Sequence, residues 1–388
     1  MSSQSKLRKY APFLIFVIIA LIIAKVTWQG YSNSFDDANY LYYSYQMIDH
    51  LYIINQSPYA YGSGFVTTIA AGLWLSGGAA WGASIPQILE FIGIISILYI
   101  CLLKYFDQDV AFITSLGCEI SGFAALYITR VLPDPLLGFL IALVFLILAY
   151  KPKSKKYMLL AGFISGLVIF VKFGGYSLLV LLALGNFGIY IPIVLAIVIA
   201  VLFVIGKSKR ALFAAGFIAA LALYQFLLPK GLSLIKLASL YDKNQASISL
   251  ATLNSNLNAA LINLVGYFPP FYTQIYTLGL ISILAVIGTF IIIRKRDKRL
   301  YFVITAFWLA VLYLYFGPET LSLNPYIFIT VVSRYFIEFL VPMALLAGAA
   351  ISHGASKVPK ESRRAFLIII LLLILVSNIT PYIIVLRS

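Results

Sequence analysis

The chain reads as an all-α polytopic membrane protein of about eleven transmembrane helices, with interfacial helices in its first outer loop. Of 388 residues, 62% are hydrophobic and 11% charged, and the mean hydropathy is +0.99. An ordinary soluble domain is only roughly 45–50% apolar. The apolar stretches are unbroken runs of about 15–25 residues, the length of a spanning helix, where a barrel would show alternating strands of ~10 residues. The basic residues between them gather on alternate loops.

The first run, 11–28, follows Lys6, Arg8 and Lys9. It is longer than a secretory apolar core of about 7–15 residues, and Lys25-Val26-Thr27-Trp28-Gln29 offers no small-residue cleavage site, so it reads as a retained anchor. Further spans are predicted at 84–104, 110–129, 133–150, 157–171, 176–205, 211–228, 274–293, 300–316, 335–352 and 365–385. The region 157–206 counts as two crossings although Lys172-Phe173-Gly174-Gly175 interrupts it and Pro192 sits inside it. Two crossings keep both flanking basic loops on one side, and three would not.

The clusters Lys6/Arg8/Lys9, Lys104, Lys151/Lys153/Lys155/Lys156, Lys207/Lys209/Arg210, 294–299 and 357–364 hold most of the 28 Lys and Arg. Among acids they meet only Asp107, Asp109, Asp297 and Glu361. This bias places the clusters inside, the N-terminus in the cytoplasm, the C-terminus outside and the protein in the cell membrane as a multi-pass chain. The net charge of +15 is then a topology signal facing anionic headgroups of the bilayer, and no nucleic-acid partner is implied. Cys101 and Cys118 lie inside spans and make no disulfide framework.

Three outer loops follow, 29–83, 229–273 and 317–334, with a short fourth at 130–133. The whole of 1–388 reads as one transmembrane domain with no separate soluble domain. In the first loop a helix is predicted over 38–52, with Leu41, Tyr45, Ile48 and Tyr52 on one face. Its tyrosines suit a headgroup region, where ring and hydroxyl are both satisfied. The Gly- and Ala-rich stretch 61–81 is expected to lie against the bundle without crossing. The second loop, from Leu232 through Asn263 to Phe268-Pro269-Pro270-Phe271, reads as amphipathic and surface-lying.

Chemistry concentrates in Ser34-Phe35-Asp36-Asp37-Ala38-Asn39-Tyr40, at the start of the first outer loop. Adjacent carboxylates at a low-dielectric boundary disfavour joint ionisation, which suits a general base with a neighbour that orients or tunes it. The structural alternative is a capping box, with Ser34 as N-cap and acids in the first turn favoured by the helix dipole. Asp134, between Pro133 and Pro135, has the same two readings: it positions a ligand, or it caps the fourth span.

Arg130, Lys172 and Arg334 fall at outer ends of spans. A cation at the bilayer centre costs roughly 2.5–3.5 kcal/mol on insertion scales, so such residues either snorkel or pair with an anion. A lipid phosphate is one such anion, bidentate on Arg and a point contact on Lys. Glu90 and Glu119 lie within spans, either facing a cavity or protonated against a neighbouring helix. His50 and His353 are predicted on opposite sides, so no metal site is assigned. A divalent cation shared by Asp36, Asp37 and His50 is the one arrangement left open. Asn55-Gln56-Ser57 is a glycan-acceptor tripeptide on the predicted outer side.

A first span followed by Phe-Asp-acid-x-x-Tyr resembles the protein O-mannosyltransferase and aminoarabinose transferase group of membrane-embedded GT-C glycosyltransferases. Arg130-Val131-Leu132-Pro133-Asp134-Pro135-Leu136-Leu137 is similar to that group's Asp-Pro-Leu-Leu segment. The stretch from Ala161-Gly162 through Gly166-Leu167 to Lys172 is similar to its Ala-Gly-x-x-x-Gly-Leu-x-x-x-x-Lys pattern. Ser333-Arg334-Tyr335-Phe336 with Pro342 is similar to its Arg-Tyr-Phe…Pro segment.

The resemblance covers about 10–350. It implies a GT-C-like fold and inverting transfer of a sugar from a polyprenyl(dolichyl)-phosphate-linked donor to a lipid, glycan or protein acceptor at the outer face. Asp36 is then the base, and Asp37 stands where the group often has Glu. Arg334, Lys172 and Arg130 would bind the donor phosphate, while Asp134, Tyr40 and Tyr335 would position acceptor or donor. No cofactor is assigned beyond the open divalent cation. A transporter or lipid flippase is the alternative that Glu90 and Glu119 keep in view, and a non-catalytic scaffold leaves the acidic pair only a capping role.

Overall fold

The computed structural model describes residues 3–28, 35–50, 63–150, 154–171, 209–227, 279–301, 303–305, 307–308, 318–323, 326–328, 337, 340–379 and 382–383. The predicted span 176–205 and the second outer loop 229–273 lie outside them, as do Lys172, Arg334, Tyr335 and the capping candidate Ser34.

The fold is helical. In chain order it has α1 (Ser3–Thr27), α2 (Phe35–His50), α3 (Ser63–Leu75), α4 (Ser84–Leu103), α5 (Gln108–Glu119), α6 (Gly122–Tyr127), α7 (Asp134–Tyr150) and α8 (Lys155–Val171). Then come α9 (Lys209–Leu227), α10 (Leu280–Lys295), α11 (Leu340–Ala355) and α12 (Arg363–Ser377). One short antiparallel hairpin, β1 (Pro318–Leu323) and β2 (Tyr326–Phe328), departs from the all-α expectation. It falls in the predicted outer loop 317–334, where backbone groups are not confined to helical pairing as they are in hydrocarbon.

Two helical stretches among the described residues, Ala80–Leu103 and Gln108–Tyr127, are long and apolar enough to cross a membrane. Shorter apolar helices are Ala11–Thr27, Gly64–Leu75, Asp134–Tyr150, Leu212–Leu223 and Leu340–Ala355. Outward faces of α1 (Leu14, Ile18, Leu21, Ile22) and α12 (Ile368, Ile369, Leu372, Leu373) expose large apolar side chains. A soluble monomer rarely leaves such contiguous patches bare.

The main core joins α1, α4, α5, α10 and α11 around Phe16, Tyr99, Ile94, Leu98 and Leu346. Phe16 meets Tyr99 edge-on at 5.6 Å and stacks on Phe112 at 5.9 Å. A second cluster, Phe65, Ile69, Leu73, Val131, Leu137 and Val168, seats α2 and α3 on α7 and α8. This second cluster carries the candidate site.

Several boundaries differ from expectation for identifiable reasons. α1 starts at Ser3, not at 11, because basic residues outside the apolar run do not end a helix. The predicted span 110–129 is broken after Glu119, and α6 restarts at Gly122. Asn378, past the end of α12, fills the break: its Oδ1 accepts from Gly122 N at 3.0 Å and its Nδ2 donates to the Ile374 carbonyl at 2.8 Å. The orphan donor of the restarted helix is thus satisfied inside the bundle.

The Ala161-Gly162-x-x-x-Gly166 pattern has a packing reason. A Cβ added to Gly162 would stand 1.8 Å from the Phe213 carbonyl oxygen, and Gly216 on α9 faces the Leu159 carbonyl in the same way. Only glycine lets α8 and α9 approach this closely.

Candidate active site

α2 begins at Phe35, three residues before the predicted start, so Asp36 and Asp37 stand inside its first turn. Carboxylates there face the positive end of the helix. The apolar face read from the sequence is confirmed for Leu41, Tyr45 and Ile48, which pack on the Phe65, Ile69 and Leu73 cluster. Tyr40 meets Phe65 edge-on at 5.0 Å. The Ser44 hydroxyl lies 2.7 Å from its own helix's Tyr40 carbonyl and 3.3 Å from the Val66 carbonyl. The Tyr45 hydroxyl donates to the Gly78 carbonyl at 2.8 Å. Gly77 and Gly78 have φ of 68° and 85°, a left-handed turn that carries the chain from α3 toward α4. Within the predicted stretch 61–81, residues 63–81 fold back as α3 plus a tight turn, a seat for α2.

The two acids have different surroundings. Asp37 is 1% exposed, whereas Asp36 is only half-buried. Arg130, from the connection between α6 and α7, donates its Nε to Asp37 Oδ2. Burial pushes the Asp37 carboxyl above the usual carboxylate range, and the Arg130 charge and hydrogen bond pull it part of the way back. The Val131 amide adds a smaller lowering, and neighbouring Asp36 a smaller rise.

Arg130 was expected at a donor phosphate; in the structure its Nε serves Asp37. Its side chain keeps about a third of its surface, 32%, exposed. Asp134, also 1% exposed, is the first residue of α7, with Pro135 beside it in the first turn. That placement matches the capping reading in position and leaves the ligand reading open. Of the predicted site residues the structure thus joins Asp36, Asp37 and Arg130 and puts Tyr40 on the same helix.

His50 closes α2, about 20 Å along the helix from Asp37 at 1.5 Å per residue. Asp36, Asp37 and His50 consequently cannot share one cation. No group of three or more His, Cys, Asp or Glu side chains suited to a metal occurs among the described residues.

One residue of this region was missed by the sequence reading. Gln87, in the first turn of α4, is completely buried; its amide faces two acceptors, and the orientation that satisfies them has the nitrogen donating to the carbonyls of Arg130 at 3.0 Å and Leu132 at 2.9 Å. A lone amide in the apolar run after Pro86 was the available signal, since a buried amide requires partners.

Comparison with solved structures places the architecture. ArnT from Cupriavidus metallidurans in the apo state superposes with a TM-score of 0.55 at 14% identity, over 92% of this chain and 61% of that one. The same protein bound to undecaprenyl phosphate gives 0.55 at 13% identity, over 97% and 73%. The Archaeoglobus fulgidus oligosaccharyltransferase tethered with an acceptor peptide gives 0.53 at 15% identity, over 98% and 55%.

This chain has a GT-C-like fold.

It spans about three-fifths, 61%, of the length of apo ArnT. No protein-family model matches the sequence, and no curated protein matches it. At identities of 13–15% the likeness is one of fold. Within this GT-C-like fold the acidic pair sits on the first helix after α1, and Arg130 reaches it from a connection far along the chain.

Proposed function

We propose that this protein is a membrane glycosyltransferase that takes a sugar from a polyprenyl-phosphate-linked donor and gives it to a hydroxyl-bearing or amide-bearing lipid, glycan or protein acceptor at the outer face. The observation that carries the reading is the divided acidic pair: Asp37 buried and held by Arg130, Asp36 beside it and partly open, in a GT-C-like fold.

Asp36 takes the acceptor proton as general base. The acceptor heteroatom attacks the anomeric carbon, the bond from that carbon to the phosphate oxygen breaks, and the lipid phosphate leaves with the electron pair. In-line displacement inverts the anomeric centre. Asp37, anchored by Arg130, fixes the first turn of α2 and thereby the direction of Asp36. The Arg130 Nη nitrogens, Lys172 and Arg334 meet the departing phosphate, where stabilisation of developing charge is worth most. Tyr40, Asp134 and Tyr335 position donor or acceptor.

The membrane arrangement belongs to the same reading: about eleven crossings with the N-terminus cytoplasmic. Two ion pairs support it, since each joins loops predicted on one side. Asp37 with Arg130 links two outer loops, and Asp107 with Arg363 links two inner ones.

The test is release of polyprenyl phosphate from a panel of lipid-linked sugars by purified protein in bilayers. Release with one donor class, abolished in Asp36→Asn, is the expected result; no release from any donor removes the reading. Buried Glu90 and Glu119 are what a transporter or flippase reading would build on. Movement of a lipid-linked sugar across the bilayer without cleavage would favour it.

A further inference from the structure

We propose that Gln87 is a positioning residue: from behind, its side-chain amide clamps the peptide between Arg130 and Val131, so that the Arg130 guanidinium faces Asp37.

The argument is geometric. The Arg130 carbonyl and the Val131 N–H are the two ends of one planar trans peptide, and they point in opposite directions. Gln87 donates to that carbonyl at 3.0 Å and to the Leu132 carbonyl at 2.9 Å. Leu132 N also donates to the Arg130 carbonyl at 3.0 Å, which closes a three-residue turn centred on Val131. With its carbonyl pinned toward α4, the peptide at Arg130 is fixed in direction, and with it the point from which the Arg130 side chain leaves the backbone. The same turn starts the Arg130 side chain toward Asp37 Oδ2. Val131 itself is fully buried in the apolar cluster under α2, so the turn cannot swing out without uncovering it.

Gln87 suits this task because it is 0% exposed and sits on α4, a long helix packed into the main core. A site partner held by a loop alone would inherit the loop's mobility, whereas a side chain locked in a bundle transmits the bundle's rigidity. Gln is the residue type required, since both facing groups are acceptors. A carboxylate in its place would oppose them, and an apolar side chain would remove the donor that the Arg130 and Leu132 carbonyls share, leaving the Arg130 carbonyl only Leu132 N.

The experiment compares Gln87→Met, which conserves volume, and Gln87→Glu, which conserves shape, using two measurements. Hydrogen exchange over 128–133 in bilayer discs needs no substrate. Exchange there should quicken by about tenfold or more in either variant while exchange in α4 and α11 stays as in the wild type.

The kinetic measurement rests on the glycosyltransferase reading above. Turnover should fall by about 10- to 100-fold with donor KM changed less than about threefold. The loss should also nearly vanish when Gln87→Met is made in the Arg130→Ala background, because both changes remove one linkage. Unchanged exchange over 128–133 overturns the clamp. Additive losses in the double variant, or loss of fold in both single variants, would make Gln87 a structural residue and also overturn the proposal. An inactive wild type would remove the glycosyltransferase reading while the exchange measurement still decides the clamp.

Discussion

Arg130 and Asp37, 93 positions apart in the chain, form a partly buried ion pair that ties α2 to the connection between α6 and α7. The pair distinguishes two adjacent acids: Asp37 is buried with its charge countered by Arg130, and Asp36 is half-buried beside it.

That division predicts unequal effects at the two acids. Asp36→Asn keeps size and much of the hydrogen-bonding capacity but cannot take a proton, so turnover should fall by about 10²–10⁴-fold with folding intact. Asp37→Asn should cost less turnover and more stability, because it leaves the Arg130 charge without its counter-ion. Equal turnover in wild type and Asp36→Asn would assign the pair to helix capping, where Asn serves as well as Asp.

A pH signature follows from the Asp37 environment. Its carboxyl lies above the usual range through burial, and Arg130 restrains the rise. An acid whose folded pKa is raised favours the protonated form, so its contribution to stability is full below about pH 4 and is lost as pH climbs through the folded value. Arg130→Ala removes the restraint and widens that window upward. The variant should therefore be most destabilised relative to wild type near neutral pH, with the gap in thermal midpoint closing toward about pH 4. Its turnover should require a higher pH than the wild type on the acid side. A gap that is constant with pH would separate Arg130 from Asp37 ionisation.

For Arg334, outside the described residues, the sequence still makes a definite expectation. If it grips a lipid phosphate through two parallel hydrogen bonds, Arg334→Lys should weaken donor binding despite the retained charge. Donor titration of the wild type, Arg334→Lys and Arg334→Ala checks this. Identical donor affinity in all three would leave the residue as an interfacial cation.

Close packing of α8 on α9 sets a stability prediction. In Gly162→Ala the new methyl would meet the Phe213 backbone, which cannot step aside as a side-chain end can. A loss of about 1–3 kcal/mol is expected, on the scale of other overpacked sites. Thermal unfolding in bilayers measures it, and a wild-type midpoint would show that the two helices separate freely.

Topology is testable independently of chemistry. Single cysteines at Ser34 and Ser333 should both react with a membrane-impermeant reagent in sealed cells, as their predicted outer placement requires. Protection of either one would place the acidic pair and Arg334 on different sides and dismantle the phosphate-binding part of the mechanism.

Much of the architecture was legible from the sequence because membrane insertion acts on local composition. Continuous apolar runs anticipated α4, α7, α8, α9 and α12 to within a few residues at most of their ends, as a run must be helical to satisfy its backbone in hydrocarbon. The adjacent acids of α2 stood out as a candidate site because charge is scarce in so apolar a chain. Tertiary structure decided what local pattern does not encode: which acid is buried, that Arg130 serves Asp37 through Nε, that Asn378 fills the break between α5 and α6, and that Gln87 holds the Arg130 turn from behind. Each of these depends on hydrogen bonds between segments distant in the chain. Such bonds have direction and a single partner, whereas the hydrophobic effect that fixes the spans has neither, so only the packed bundle determines them.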